Sequence, residues 1–125
     1  MVVADANVLI DYLRGRAAAV DAIDRSVSSN VALTASTLTK VEVLAGMRPD
    51  EEEATRDLCG VVDWIPVTDP IADLAGEFAR RFHRSHRGIE VVDYVVAATA
   101  EDRGAAIWTT NLKHFPMFPG LEPPY

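Results

Sequence analysis

The stretch MVVADANVLI (Met1–Ile10) places an aspartate directly after a short apolar run. Val2–Ala4 has the length and composition of a buried β-strand. Asp5 leaves that strand, so the core behind its carboxylate solvates it poorly and it needs hydrogen-bond donors or a cation. The end of the first strand is therefore the first candidate site.

Strands and helices alternate along the rest of the chain. Short apolar or β-branched runs predict three more strands, at Val31–Ala35, Val61–Pro66 and Ala105–Thr109. Helical patterns lie between them, at Ala17–Val27, Thr37–Met47, Pro70–Ser85 (with Asp69 as N-cap) and from Asp93 to Gly104. This alternation predicts an α/β fold with a mostly parallel sheet covered by helices on both faces. The sheet has four strands, or five if a weak edge strand forms near Leu121.

Length and composition predict one globular domain spanning residues 1–125. The lone Cys59 rules out an internal disulfide and a cysteine-cluster zinc site, and it fits a reducing compartment. The sequence contains neither an apolar run of the ~20 residues that span a bilayer nor a signal-peptide pattern before Asp5. The expected location is the cytoplasm, without a membrane partner.

Charge is unevenly distributed. The net charge of −7 argues against a generic nucleic-acid binder, because counterion release requires clustered cations. An acidic run occupies Asp50–Glu53, whereas a basic cluster is made of Arg80, Arg81, His83, Arg84, His86 and Arg87. Each run can be a solvated helix face or loop. The basic cluster can also be a patch that holds phosphates near an acidic centre.

Four oxygen-bearing side chains are expected at one edge of the sheet, where ligands bind beyond the carboxyl ends of parallel strands. Asp5 ends the first strand and Asn111 follows the last one. Asp93 begins the helix that leads into the last strand, and Glu42 lies in the second turn of the helix after the second strand. Each has an ordinary alternative: a turn residue for Asp5, an ion pair for Glu42, and a helix cap for Asp93 and Asn111.

The chemistry of such a cluster follows from its donor atoms. Hard oxygen ligands without cysteine or paired histidines suit Mg²⁺ or Mn²⁺ rather than Zn²⁺. These ions can activate water and stabilise the leaving oxygen of a phosphodiester. Because neighbouring carboxylates repel one another, the cluster without an ion is expected to show raised proton affinity.

Four motifs, in this order, resemble those of a known family. They are DANVLIDYLRG (Asp5–Gly15), TKVEVLAG (Thr39–Gly46), DYVVAATA (Asp93–Ala100) and TTNLKHF (Thr109–Phe115). Together they resemble PIN-domain ribonucleases, and within them the VapC-type toxins of VapBC toxin–antitoxin pairs. The resemblance implies a three-layer α/β/α sandwich and a Mg²⁺- or Mn²⁺-dependent endoribonuclease that cuts structured RNA, such as transfer or ribosomal RNA. It also implies the toxin of a type II system: a homodimer that a cognate VapB-type antitoxin inhibits, in a heterotetramer or a larger complex.

The resemblance also assigns roles to residues. Asp5, Glu42 and Asp93 match the acidic catalytic and metal-site residues of the family, with Asp5 and Asp93 as primary ligands and Glu42 as a ligand or water-orienting base. Asn111 stands where aspartate is often found, so it offers an oxygen but no charge and acts as a weaker partner. Thr110 positions phosphate or is an ordinary strand-end threonine.

Two further residues have structural roles in this interpretation. Asp11 is expected to face solvent or to be ion-paired. His114 is expected to be structural.

Three other functions fit parts of the pattern. A catalytically weak PIN-like binding module would use its acidic groove only to dock a basic partner. A phosphoacceptor signalling domain fits the length and alternation, but the third predicted strand ends in Pro66-Val67-Thr68, without the required aspartate. A haloacid-dehalogenase-type phosphatase would need aspartate where Asn7 stands.

If an antitoxin binds, an acidic groove predicts that it inserts an arginine or lysine.

Overall fold

A computed structural model describes all residues from 1 to 125. The strands are β1 (Val2–Ala4), β2 (Leu33–Ser36), β3 (Asp63–Ile65) and β4 (Ala106–Trp108). The helices are α1 (Ala6–Leu13), α2 (Ala17–Ser28), α3 (Thr37–Ala45), α4 (Glu52–Val61), α5 (Asp69–Phe82) and α6 (Val91–Arg103). Short 3₁₀ turns occupy Pro49–Glu51 and Leu112–His114.

The four strands form one parallel sheet in the order β3-β2-β1-β4. Val3 pairs with Thr34 on one side and with Ile107 on the other. Because β1 lies between β2 and β4, its carboxyl end is next to theirs. The predicted parallel sheet is confirmed, and it has four strands.

Helices cover both faces of the sheet, and β1 shows how its side chains divide between them. Val3 packs into a core shared with α5 and α6, while Val2 and Ala4 pack into a second core with residues of α1 to α4. Alternate residues of a strand point to opposite faces, so three successive buried residues serve two cores. The three-layer α/β/α arrangement is confirmed.

Helix α6 is the most buried helix of the fold. Every residue from Asp93 to Ala100 is buried, and the small side chains of Ala97 and Ala98 let the helix lie close to its neighbours. It ends as predicted at Gly104, whose φ of 59° is the left-handed conformation that glycine adopts at helix C-termini. The predicted beginning at Asp93 was wrong by two residues, because Glu90 is the N-cap and Asp93 lies in the first turn.

Helix α5 shows the predicted one-sided burial. Ile71, Ala75 and Phe78 are buried at helical spacing against α6. The predicted N-cap Asp69 was wrong, since the hydroxyl of Thr68 accepts a hydrogen bond from the backbone N–H of Ile71. Asp69 instead lies in the first turn, where its negative charge is stabilised by the positive N-terminal end of the helix dipole.

Several other predicted boundaries were wrong. Strand β2 begins two residues later than predicted, and β4 ends before Thr109. Helix α4 takes Val61 from the predicted third strand, and the acidic run Asp50–Glu53 leads into its N-terminus. This helix was missed because it buries little more than Thr55 and Leu58.

The structure contains neither the possible fifth strand nor a helix suited to span a membrane. No fifth strand forms near Leu121, since the surrounding prolines lack the N–H groups that a strand ladder needs. None of the helices combines the length and the apolar character required to cross a membrane.

Candidate active site

Asp5 lies where β1 gives way to α1, and its exposed fraction is only 5%. One carboxylate oxygen, Oδ1, accepts a hydrogen bond of 2.8 Å from the backbone N–H of Ala6. The other, Oδ2, accepts one of 2.9 Å from the hydroxyl of Thr109, just beyond β4. The same hydroxyl accepts a 3.0 Å bond from the backbone N–H of Asn111. Thr109 therefore connects the loop after β4 to the carboxylate at the end of β1.

Asp93 reaches the same region from the first turn of α6. Its Oδ2 atom accepts a 2.9 Å hydrogen bond from the backbone N–H of Glu90, which fixes the carboxylate at the helix N-terminus. The Nδ1 atom of His114 lies 3.1 Å from this oxygen, but its alignment does not make a hydrogen bond. The contact becomes an ion pair when the imidazole is protonated. His114, which we expected to be structural, therefore also faces the acidic site.

Glu42 approaches from α3. Its Oε1 atom is buried and has no hydrogen-bond partner. Burial, followed by the negative charges of Asp5, Asp93 and Glu90, raises the pKa of the Glu42 carboxyl above its ordinary value. A carboxylate oxygen that is buried, unpaired and surrounded by like charge is unfavourable unless a proton or a cation joins it.

The pKa of the Asp5 carboxyl is also raised, but hydrogen bonds partly offset the rise. Burial is the largest cause that raises the pKa of the Asp5 carboxyl, and the negative charge of Asp93 raises it further. The hydroxyl of Thr109, the N–H of Ala6 and the charge of His114 oppose the rise. The pKa values of Asp5 and Glu42 are thus raised in the expected direction, with burial as the largest cause and repulsion between carboxylates as a smaller one. These charge interactions show that the structure brings Asp5, Glu42 and Asp93 together.

Asn111 joins this group only through its backbone. Its side chain is exposed, and its N–H is the atom bound to Thr109. Sequence reasoning favoured Thr110 and overlooked Thr109, which is fully buried and touches Asp5. The signal was available, because Thr109 lies two residues beyond the buried Ile107 and therefore continues the same strand face. Glu90 was also overlooked.

Asp11 lies in a separate cluster. Its Oδ2 atom accepts hydrogen bonds from the hydroxyl of Tyr125, at 2.6 Å, and from Arg16, at 3.0 Å. The predicted ion-paired role is confirmed, and these contacts tie the end of the chain to α1.

A divalent cation matches this site in donor type. The carboxylate oxygens are hard ligands, and the buried Oε1 atom of Glu42 has no hydrogen-bond donor, so a cation would supply the missing partner. No three or more aspartate, glutamate, histidine or cysteine side chains are arranged to hold a metal ion together. The donor chemistry thus fits an ion, while the side chains do not form a ready-made coordination shell.

The chain is therefore an α/β protein with a parallel sheet between two layers of helices and an acidic site at the carboxyl ends of its strands. The sequence matches the model of the PIN domain over residues 2–116, and the chain belongs to that family. The family resemblance inferred from the four motifs is confirmed. This family assignment leaves no support for the phosphoacceptor and dehalogenase-type alternatives.

Relatives within the family are named ribonucleases. Ribonuclease VapC19 of Mycobacterium tuberculosis is 44% identical over 121 residues, which cover 97% of each chain. Ribonuclease VapC10 of the same organism is 38% identical over 125 residues, covering 100% of this chain and 93% of the relative.

Solved structures share the fold over nearly the whole chain. A chain of a toxin–antitoxin complex from Klebsiella pneumoniae is 25% identical with a TM-score of 0.81, covering 100% of this chain and 98% of that one. A chain of VapBC2 from Rickettsia felis, solved with a promoter DNA fragment, has a TM-score of 0.77. It covers 97% of this chain and 96% of that one, and at 16% identity it shows the fold alone.

Proposed function

We propose that the protein is a Mg²⁺- or Mn²⁺-dependent endoribonuclease, the toxin of a type II toxin–antitoxin pair, that cleaves structured RNA such as transfer or ribosomal RNA. The named ribonucleases at 44% and 38% identity support the activity. The single structural observation that carries the proposal is the convergence of Asp5, Glu42 and Asp93, with one buried glutamate oxygen unpaired. Cys59 as the lone cysteine fits a cytoplasmic site of action.

Asp5, Glu42 and Asp93 would hold the ion. The side chain of Asn111 is exposed, so its amide oxygen would be a weaker partner that has to turn toward the site. When bound, such an ion lowers the pKa of a water molecule and stabilises charge on the phosphate oxygens. Hydrogen bonds fix two of these carboxylates in place: the hydroxyl of Thr109 and the N–H of Ala6 hold Asp5, and the N–H of Glu90 holds Asp93. Glu42 is the least restrained carboxylate, which suits it to orienting a water molecule.

The test is RNA cleavage by wild type and by the variants Asp5→Asn and Asp93→Asn, with a chelator, Mg²⁺ or Mn²⁺. An asparagine oxygen can still accept the backbone bond at either position, so both variants should fold. We expect metal-dependent cleavage by wild type and a loss of at least ~10²-fold in either variant, since each removes a charge from the reacting centre. The matched control is Asp73→Asn, which makes the same change on an exposed face of α5 and should cleave normally.

Undiminished cleavage by a pure preparation of either site variant would refute the assignment of that residue. A second candidate, a catalytically weak binding module, is favoured by the absence of a preformed three-residue metal shell. Folded wild type that is inert with every ion, and binds a basic partner through the acidic groove, would support that alternative.

We also propose that the partner is a VapB-type antitoxin and that the chain forms a homodimer, within a heterotetramer or larger complex. The likeness to a chain of a toxin–antitoxin complex at 25% identity supports this partner. The clustered carboxylates suit an inserted arginine or lysine, which would compete with the ion. An antitoxin that inhibits equally well after its inserted cation is neutralised would rule out this mode of inhibition.

A further inference from the structure

The last turn of α5 and the segment that follows it, together called the basic turn, carry the strongest positive charge of the chain. This basic turn consists of residues 80–87 and contains four arginines and two histidines, all of them exposed. None of the four arginines forms an ion pair, although acidic residues outnumber lysine and arginine by 19 to 12 in the sequence. Unpaired arginines in an acidic protein are free to bind an anion from outside.

The basic turn is held in shape by its own contacts. The backbone N–H of His86 donates a 2.8 Å hydrogen bond to the carbonyl of Phe82, and that of His83 donates one of 2.9 Å to Ala79. Phe82 packs against the core, and its ring meets the ring of His86 edge-on with centroids 5.7 Å apart. The arginines therefore extend from a formed turn, so binding costs less ordering entropy than it would in a loose loop.

The basic turn adjoins the acidic site. Gly88, whose φ is 94°, redirects the chain, and Ile89 packs against the core immediately before Glu90. Glu90 is the N-cap of α6, and its backbone N–H donates the 2.9 Å hydrogen bond to the carboxylate of Asp93 in the acidic site. Glu90 is three positions after Arg87, so their Cα atoms are at most ~11 Å apart. A positive surface thus lies beside the negative cluster.

We infer that the basic turn binds backbone phosphates of the RNA strand next to the bond that is cut, an inference that rests on the proposed function. A carboxylate site in a chain of net charge −7 repels a polyanion, so productive binding needs local cations beside it. Arginine forks bind phosphate oxygens in pairs, and the flanking histidine rings can stack on unpaired bases. An acidic protein segment could use the same charge, but the position beside a phosphodiester-cleaving site favours RNA.

The test reverses two charges with Arg84→Glu and Arg87→Glu in one variant. Its matched control, Arg25→Glu with Arg56→Glu, makes the same change in net charge on exposed residues of α2 and α4. Binding of a labelled RNA hairpin is measured in an Asp5→Asn background with chelator over a range of salt, and cleavage kinetics are measured in the wild-type background.

We expect the turn variant to bind RNA roughly tenfold more weakly at low salt. Its salt slope should be flatter by about 0.7 for each phosphate that the variant no longer binds. KM should rise while kcat at saturating RNA stays unchanged, because the turn binds flanking phosphates rather than the reacting atoms. A variant with lysine at both positions should keep most of the salt slope, since it keeps the charge.

An unaltered salt slope and KM in the turn variant, with wild type active, would overturn the inference and leave the ribonuclease assignment intact. Wild type that neither binds nor cleaves RNA would instead show that the proposed function is wrong. Unchanged RNA binding with weakened antitoxin binding would assign the basic turn to an acidic protein segment and would also overturn the inference.

Discussion

Replacing Thr109 by valine should destabilise the metal-free protein by about 2–4 kcal/mol. Valine keeps the shape of threonine in this fully buried position and removes only the hydroxyl. That hydroxyl donates to the carboxylate of Asp5 at 2.9 Å, and a hydrogen bond to a charged group contributes about 1.5–3 kcal/mol. It also accepts from the N–H of Asn111 at 3.0 Å, a partly buried bond worth about 0.5–1 kcal/mol.

The measurement is urea unfolding in the presence of a chelator, with Thr109→Ser as the matched control. Serine keeps both hydrogen bonds and loses one methyl group, at a cost of about 1 kcal/mol. The valine variant should therefore lose about 1–3 kcal/mol more than the serine variant if the two hydrogen bonds of the hydroxyl carry the effect. A loss of 2–4 kcal/mol would be a large part of the roughly 5–15 kcal/mol that stabilises a typical domain.

The loss should also depend on pH. The Thr109 hydroxyl lowers the pKa of Asp5, so its removal raises that pKa further above the ordinary value of 3.8. The part of the valine penalty that comes from the Asp5 carboxylate is therefore fully present above the pKa of Asp5 in the variant and is lost as pH falls through the raised pKa of Asp5 in wild type. The smaller part that comes from the N–H of Asn111 does not depend on pH. Equal stability of the valine and serine variants at neutral pH would refute the idea that Thr109 supports the Asp5 carboxylate.

Two further predictions concern other carboxylates. Because the folded state raises the pKa of Glu42 above 4.5, Glu42→Gln should be more stable than wild type in chelator, and its advantage in unfolding free energy should grow as pH rises from 4.5. A difference that stays flat across that pH series would contradict the result. Tyr125→Phe should lose about 1–3 kcal/mol in urea unfolding, since its hydroxyl bonds to the carboxylate of Asp11; an unchanged midpoint would count against that contact.

Local sequence was sufficient to predict the class of fold and the general place of the site. Buried strands, the one-sided apolar pattern of α5 and the glycine that ends α6 are signals carried by neighbouring residues, and the structure agrees with each. The edge that gathers Asp5, Glu42 and Asp93 followed from parallel-strand topology. Helix α4 was missed, since a helix that buries only a few side chains has a weak periodic signal.

Local sequence patterns did not predict which side chains contact one another in the site. Nothing near Asp93 in the sequence indicates that His114 lies beside it, and Thr110 was favoured over Thr109, although strand alternation could have selected the buried residue. Such contacts join residues far apart in the chain, and small shifts in strand ends decide which side chain points inward.

By itself, then, the sequence determined the alternation of strands and helices, apart from α4, and the types of side chain available for chemistry, because hydrophobic periodicity and donor chemistry are local properties. Only the tertiary structure decided which groups lie together: the hydroxyl of Thr109 bonds to the carboxylate of Asp5, and Glu42 lies near three other negative charges. Those contacts depend on how β1, β4, α3 and α6 pack at one edge, and packing is a property of the whole chain.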